Sequence, residues 1–456
     1  MQCRRLEHYE KSRFVEIFWE GGSAEITGGA FGSKGRTRSF DFSLPRDCDE
    51  FVAAEVAKRL REGFVEVVPE VLRAKAARHV EPDADWIARI AAAYDDDAPR
   101  LVYADHLQSL GDPLGELIAV QCELARIEPW EPRAAALRER EETLLLTYRP
   151  RWLPKVGPEI QCTFHRGFVE RVELEPSVQR AAIEHLMQHA PLIRTLERDA
   201  SIGYWSGRVP WAIAPALLPQ LTGIALRGWH ARAAELRALV EEPALGGVDR
   251  LALRSCNIVA DDLAALGSRA WRELDLHANV LGVRGVDAVL RDVSRLEVLD
   301  VGSSGLGDAG ALATASAPFV RLRALSLRRS QLTSASLRVV SRSPGLATLV
   351  SLDLSANADV AGLFDDPALP ALRELDLRET ALDDEALTAL LASPLAAQLR
   401  VLDLGSNQLT DARLLLEAEL PELRVLNVSG NPLGERVREL KTGLPNVRVT
   451  ARNAQS

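Results

Sequence analysis

His185 and His189 stand four residues apart, the spacing that puts two imidazoles on one helix face and lets them share a metal ion. No glutamate lies between them, as a zinc protease needs, and no Cys or His stands nearby as a third ligand. A solvated helix face is the better reading. Asp95-Asp96-Asp97 carries charge for a cation but lacks the spaced oxygens and downstream glutamate of a calcium loop. Placed ahead of a helical period, these carboxylates are expected to cap its first turn. The five cysteines, Cys3, Cys48, Cys122, Cys162 and Cys256, are scattered and never spaced as Cys-x-x-Cys, which argues against a zinc knuckle or a disulfide framework. Neither a Gly-x-x-x-x-Gly-Lys-Ser/Thr loop nor a Gly-x-Ser-x-Gly elbow occurs. The expectation is a non-enzymatic chain without metal or cofactor.

A second set of charged residues recurs along the chain. Asp275, Asp300, Asp353, Asp376 and Asp403 each sit between two apolar residues, and Arg254, His277, Arg328 and Arg378 stand two positions beyond the same place. The segments that hold them share the register Leu-x-x-Leu-x-Leu-x-x-(Asn/Cys)-x-Leu. It is clearest as Leu399-Leu402-Leu404-Asn407-Leu409 and Leu423-Leu426-Val428-Asn431-Leu433, and returns as Val248-Leu251-Leu253-Cys256-Ile258 and Trp271-Leu274-Leu276-Asn279-Leu281. First apolar positions fall at Val169, Ile193, Leu221, Val248, Trp271, Leu296, Leu322, Leu349, Leu372, Leu399, Leu423 and Leu444, 21 to 28 residues apart. This is the signature of leucine-rich repeats. Connectors with a helical period, such as Asp383 to Leu391, resemble the ribonuclease-inhibitor type. Phe364 to Ala371, with Pro367 and Pro370, is expected to be an irregular turn.

Each repeat supplies one short parallel strand and a return segment, and neither buries its apolar face until the repeats stack. Twelve strands at ~4.8 Å spacing make a sheet about 50 Å long, with strands on the concave side. The Asn/Cys position (Asn279, Asn357, Asn407, Asn431 and Cys256, with Ser304, Ser330 and Thr380 as substitutes) is expected to bond turn amides that would otherwise be buried and unpaired. Strand alternation turns the third, fifth, seventh and eighth positions outward. The five aspartates then form an acidic stripe edged by Arg254, His277, Arg328 and Arg378, which favours a basic or mixed-charge protein partner. Leu-Asp-Leu is common in such repeats whatever they bind, and neighbouring Arg and Asp can simply pair.

Ahead of the repeats, Phe14 to Trp19 alternates in the strand period, Gly21-Gly22 signals a hairpin, Ala24 to Ile26 resumes, and Thr37 to Phe42 reads as another strand. Asp47 to Arg61 carries a helical period that stops at Gly63, and Phe64 to Val67 returns as a short strand. Arg5-Leu6-Glu7, Phe18-Trp19-Glu20, Phe31-Gly32-Ser33-Lys34-Gly35-Arg36 and Lys58 to Phe64 give this stretch a resemblance to the WGR domain. In eukaryotic members of that family the Trp and Arg of the naming tripeptide help contact DNA. Here the tripeptide is replaced by Gly28-Gly29-Ala30, which removes both the stacking ring and the phosphate partner. Lys34, Arg36 and Arg38 remain as the candidate nucleic-acid contact.

From 83 to about 150 the pattern is helical: Asp85 to Ala93, Ala98 to Leu110 ended by Gly111, a third helix after Asp112-Pro113 through Ile127, and Pro132 to Tyr148. Pro99 to Asp105, Gly111 to Ile118 and Gln121 to Ala125 resemble the small bacterial repeat-companion domain that accompanies leucine-rich repeats. That family implies no activity; a lid over the first repeats suffices. The expected fold class is thus α/β, a leucine-rich repeat solenoid (160–456) preceded by a small WGR-like α+β domain (1–75) and a helical segment (83–150).

At 456 residues the chain needs more than one core. A net charge of −10 argues against broad attachment to nucleic acid or anionic membrane. No stretch approaches the length of a membrane span, and the charged N-terminus is no signal core. The reading is a reduced, cytoplasmic, bacterial scaffold that binds a protein on the concave face. The alternative is a nucleic-acid-associated protein docking through the WGR-like domain.

Overall fold

The structure, a computed structural model, describes residues 2–8, 13–20, 22–30, 35–42, 44–67, 82–154, 156–199, 215–230 and 232–451. The chain divides into two compact units, Met1–Arg126 with Ala136–Leu153 and Ile127–Ala135 with Pro154–Ser456.

The first unit opens with an antiparallel sheet of order β4-β3-β2-β1-β5. Its strands are β1 (Gln2–His8), β2 (Arg13–Glu20), β3 (Ser23–Ala30), β4 (Arg36–Asp41) and β5 (Val65–Val67). β1 is an addition to the sequence reading. The hairpin expected at Gly21-Gly22 joins β2 to β3, closing on the pair Glu20 and Ser23. Helix α1 (Pro45–Arg61) buries Cys48, Val52 and Val56, one helical turn apart, against Leu6, Val15, Ile17 and Ala24 of the sheet. Gly63, at φ +90°, ends the helix in a conformation that disfavours side chains.

Four helices follow: α2 (Ala84–Ala92), α3 (Ala98–Ser109), α4 (Leu114–Leu124) and α5 (Pro132–Trp152). Asp112 starts α4 as expected, its Oδ1 accepting the Leu114 amide at 2.8 Å. At α3 the capping falls to Asp96, which accepts the Ala98 amide at 2.9 Å, while Asp97 receives the Arg126 guanidinium at 3.0 Å. The aspartate run is therefore a helix start and an ion pair.

The second unit is built on thirteen strands in unbroken order, β6 to β18. β6 (Ile160–His165) and β7 (Phe168–Leu174) form an antiparallel hairpin at one end. Parallel to β7 run β8 (Thr195–Asp199), β9 (Gly223–Arg227), β10 (Arg250–Arg254), β11 (Glu273–Asp275), β12 (Val298–Asp300), β13 (Ala324–Ser326), β14 (Ser351–Asp353), β15 (Glu374–Asp376), β16 (Val401–Asp403), β17 (Val425–Asn427) and β18 (Arg448–Thr450). Eleven of the twelve strand positions read from the sequence carry a strand in the expected register; at Leu444 the strand lies two residues later, with Val449 and not Val447 beside Leu426, and β6 adds one. Leu251, Leu274, Leu299, Leu325, Leu352, Leu375, Leu402 and Leu426 lie in register on successive strands and are almost wholly buried. Their flanking third and fifth residues are half-exposed, as alternation requires.

The ninth position works as a clamp between repeats. Asn357 donates to the carbonyls of Leu327 (3.0 Å) and Leu354 (2.8 Å), and its Oδ1 accepts the amides of Ser330 (3.0 Å) and Leu332 (3.1 Å). Asn407 does the same with Leu377, Leu404, Thr380 and Leu382, and Asn279 with Leu253, Leu276, Cys256 and Ile258. Each asparagine thus closes the turn of the repeat before its own. Cys256 takes the same place through its thiol, and burial pushes that thiol up to about 12.

Just before the clamp, the eighth position is left-handed in repeat after repeat: Ser255, Ala278, Ser303, Arg329, Ala356, Glu379 and Ser406 have φ between 48° and 58°. An L side chain is strained there. The clamp and the parallel register hold the turn against that strain.

Candidate partner-binding face

The fifth-position aspartates first serve their own backbone. Oδ1 of Asp275, Asp300, Asp353, Asp376 and Asp403 accepts the amide two residues on, at 2.9 to 3.0 Å in every case. Asn427 repeats the bond to Ser429 at 3.0 Å. These short side chains finish the strand in an Asx turn, which supplies a structural reason for Leu-Asp-Leu.

Their second oxygens are shared out unequally. Arg254 donates to Asp275 at 2.5 Å, and Arg378 to Asp376 at 2.5 Å with Asp403 at 3.5 Å. Burial pulls the Arg254 guanidinium down, yet the Asp275 bond and surrounding carboxylates hold it above its usual value. Arg378 is raised chiefly by its bond to Asp376. Ser326 donates to Asp353 at 3.2 Å. Asp300 lies 3.6 Å from His277 and is also hydrogen-bonded by Ser326; its carboxyl is held above the usual range by burial and then by the neighbouring Asp275 charge, which the Gly302 amide, His277 and Ser326 oppose. Arg328 is half-buried and has no ion pair among the described residues. The stripe and its arginines are therefore brought together on one face, where Arg254 and Arg378 pair with Asp275, Asp376 and Asp403, while Asp300 and Asp353 have no arginine ion pair among the described residues.

Between β8 and β13 the same face sinks into a depression of about 390 Å³ lined by Thr195, Gly223, Ala225, Ala252, Asp275 and Asp300, among others. Ala225 and Ala252 take the fifth position where other strands carry Asp, so the floor is low. Gly223 belongs to the same design, since a Cβ there would lie 2.8 Å from the Thr195 hydroxyl. Arg250 stands on the wall with its Nε 3.3 Å from Glu273 Oε1, an ion pair without hydrogen-bond alignment. Arg254, Asp275 and Asp300, named from the sequence, line this depression, whereas Thr195, Gly223 and Arg250 carry no charge-stripe signal and were not named.

The remaining candidates are dispersed. His185 and His189 lie exposed on α6 (Arg180–His189) with rings 4.1 Å apart, and His189 Nδ1–H donates to the His185 carbonyl at 2.8 Å. Among the described residues no group of three or more His, Cys, Asp or Glu side chains is placed to hold a metal ion. Arg36 and Arg38 are exposed on the edge strand β4, and Lys34 lies outside the described residues. No helix among the described residues is long and apolar enough to cross a membrane.

Comparison with curated proteins returns no match. Among solved structures, the chain is similar to a protein of Bacteroides fragilis (14% identity, 99% of this chain and 98% of that one, TM-score 0.34) and to the Rad7 and Elc1 complex of yeast (18% identity, 62% and 81%, TM-score 0.43). Both scores are too low to show a shared fold. Residues 397–442 match the family model for Leucine Rich repeats (2 copies). That match spans β16 and β17, whose register the other parallel strands of the sheet continue. The second unit is thus a stack of parallel strands in one register, of which residues 397–442 match leucine-rich repeats.

Proposed function

We propose that the protein is a non-enzymatic scaffold that holds a protein partner against the open strand face of its repeats. The observation that supports this reading is the state of the fifth-position carboxylates. Each is pinned by its own turn amide, yet Asp300 and Asp403 keep 29% and 25% of their side-chain surface in solvent. Side chains already fixed lose little freedom when a partner arrives. The row of like groups favours a basic or mixed-charge surface. In this reading the chain keeps three parts, 1–75, 83–150 and 160–456, with the helical part serving as a lid.

The test replaces Asp353, Asp376 and Asp403 together by Asn. Asn427 already makes the same amide bond, so the turns stay closed while three charges go. A photo-crosslinking residue at Ser351 or Glu374 is expected to capture a protein from the native host, with capture falling about tenfold in the triple variant. Equal capture by both, or capture only from a position on the helical side such as Arg338, overturns the reading. A second reading, nucleic-acid docking through residues 1–75, is supported by the exposed Arg36 and Arg38. It predicts retention that weakens steeply with salt.

A further inference from the structure

Along the edge where the chain enters the strands, the second residue of several repeats is arginine, and nearly all of these arginines are engaged within the fold. Arg194 donates to the Gln220 carbonyl at 2.8 Å, and Arg373 and Arg424 to the Pro370 and Pro421 carbonyls at 3.0 Å. Arg272 donates to Glu297 at 3.0 Å, and Arg400 stands 3.6 Å from Glu422. Arg323 departs from this pattern. Its repeat has Val320 at the place of Pro370 and Pro421, and the next repeat offers Val350 where the neighbour of Arg272 offers Glu297. Arg321 stands beside it, and the wholly buried Leu322 between them leaves both arginines exposed. Among the described residues neither side chain makes a hydrogen bond or an ion pair. The two border a shallow depression of about 650 Å³ that Ala347, Val350 and Ala371 continue on its other side. The one carboxylate among its lining residues, Glu297, is turned to Arg272. Two unopposed guanidiniums thus look onto small uncharged side chains, in a chain whose net charge is −10.

We infer that this edge receives an acidic side chain, Asp or Glu, of the protein partner, its carboxylate held between Arg321 and Arg323. A guanidinium offers a planar fork of N–H groups that matches a carboxylate, and such charge-assisted bonds are among the strong ones. The apolar residues decide for a peptide over a bare phosphate. Val350, Ala347 and Ala371 on one side and Val320, 62% exposed, on the other give a peptide's aliphatic neighbours a place to rest. The edge lies three residues, or about 10 Å, from the fifth-position row. A partner that covers the aspartates therefore meets these arginines as well. The inference rests on the strand-face reading above and narrows its mixed-charge partner to one that brings an acidic residue to this edge.

The probes are acetyl-Leu-Glu-Glu-Leu-amide and acetyl-Leu-Gln-Gln-Leu-amide, titrated into the full chain carrying 13C-methyl alanine and valine. The acidic probe is expected to shift the methyl signals of Ala347, Val350 and Ala371. Its apparent affinity falls about tenfold or more in the double variant Arg321→Gln, Arg323→Gln, which removes two exposed side chains that bond nothing in the fold. The control pair Arg284→Gln, Arg291→Gln takes the same charge from exposed positions on the return side and keeps the parent affinity. Absence of the shifts, equal shifts with the glutamine probe, an equal loss in the control pair, or the same shifts from inorganic phosphate alone overturns the inference. Partner capture separates this from the wider reading. If crosslinking from Ser351 persists undiminished in the Arg321, Arg323 double variant, the acidic anchor falls while the scaffold stands. If the acidic probe binds as described but no strand-face partner is captured, the scaffold falls and the edge stands as a site for acidic peptides.

Discussion

Two rows of side chains run along the repeats four positions apart, and they treat the same backbone in different ways. In the inner row Asn279, Asn357 and Asn407 are 4%, 1% and 6% exposed, and each spends both ends of its amide on the main chain. In the outer row Asp353, Asp376 and Asp403 give one oxygen to the main chain and the other to a serine or an arginine. The difference is burial. A buried amide left without a partner costs about 1–3 kcal/mol, so the inner row must be complete. Water satisfies the outer row, so Ala225, Ala252, Ser326 and Asn427 stand there too. Exposure makes the outer row the one in which recognition can be written.

The sharpest way to break this contrast is Asn357→Leu. It keeps the volume but orphans the amides of Ser330 and Leu332 and the carbonyls of Leu327 and Leu354. Unfolding free energy from urea titration is expected to fall by about 3 kcal/mol or more. Loss below ~1 kcal/mol erases the distinction between the rows. By contrast Asp403→Asn, on the outer row, is expected to stay within about 0.5 kcal/mol.

A pH series sharpens it further. Carboxylates on the return side are held below their usual range: Asp308 first by the Ser336 hydroxyl, Asp359 by Ser334, and Asp384 by Thr410 and its neighbours against the burial that opposes them. A depressed value means that the stability they add is present above the ordinary carboxylate pKa and is lost as pH falls below about 4. Asp300 has the opposite sign, because its ionised form is the disfavoured one in the fold. Asp384→Asn should therefore lose less thermal stability than the parent between about pH 5 and 3. Asp300→Asn should sit slightly above the parent at neutral pH, the gap closing as pH falls through the raised value. Parallel melting curves for both variants at every pH would contradict this assignment.

The smallest expected effect lies between the rows. Ala356 has φ 57°, so Ala356→Gly relieves strain in place of adding entropy cost. Its stability should be unchanged or higher by about 0.5 kcal/mol, where the same change in a helix would lower it. A clear loss would show that the turn is not strained.

Much of this was legible from the leucine period alone. The buried positions recur at fixed offsets, so eleven repeat strands are placed in register, including those at Val169 and Ile193 where the consensus is poor, while the one read from Leu444 lies two residues later. β6 carries no leucine register, because it pairs antiparallel to the first repeat strand and is shaped by the Arg166-Gly167 turn. β1 carries no strand alternation either: Gln2 to His8 reads Gln-Cys-Arg-Arg-Leu-Glu-His, with Leu6 buried among charged and polar neighbours in the sequence. On the strand face, the aspartates were visible and their duty to the backbone was not, since an Asx bond leaves no mark beyond the residue type. Arginines at the second position were overlooked altogether. Arg373 and Arg424 turn back to the carbonyls of Pro370 and Pro421 at 3.0 Å, completing the bends that lead into the strands.

The clamp asparagines also set an order of assembly. Asn279 bonds amides of Cys256 and Ile258, which were synthesised before it, and Asn407 does so for Thr380 and Leu382. A turn is complete only when the following repeat has left the ribosome. In the folded chain the dependence runs one way: the asparagine of each such repeat seals the turn before it. Trimming repeats from the C-terminal end re-exposes a sealed turn, and the cost of that injury falls on the repeat that remains.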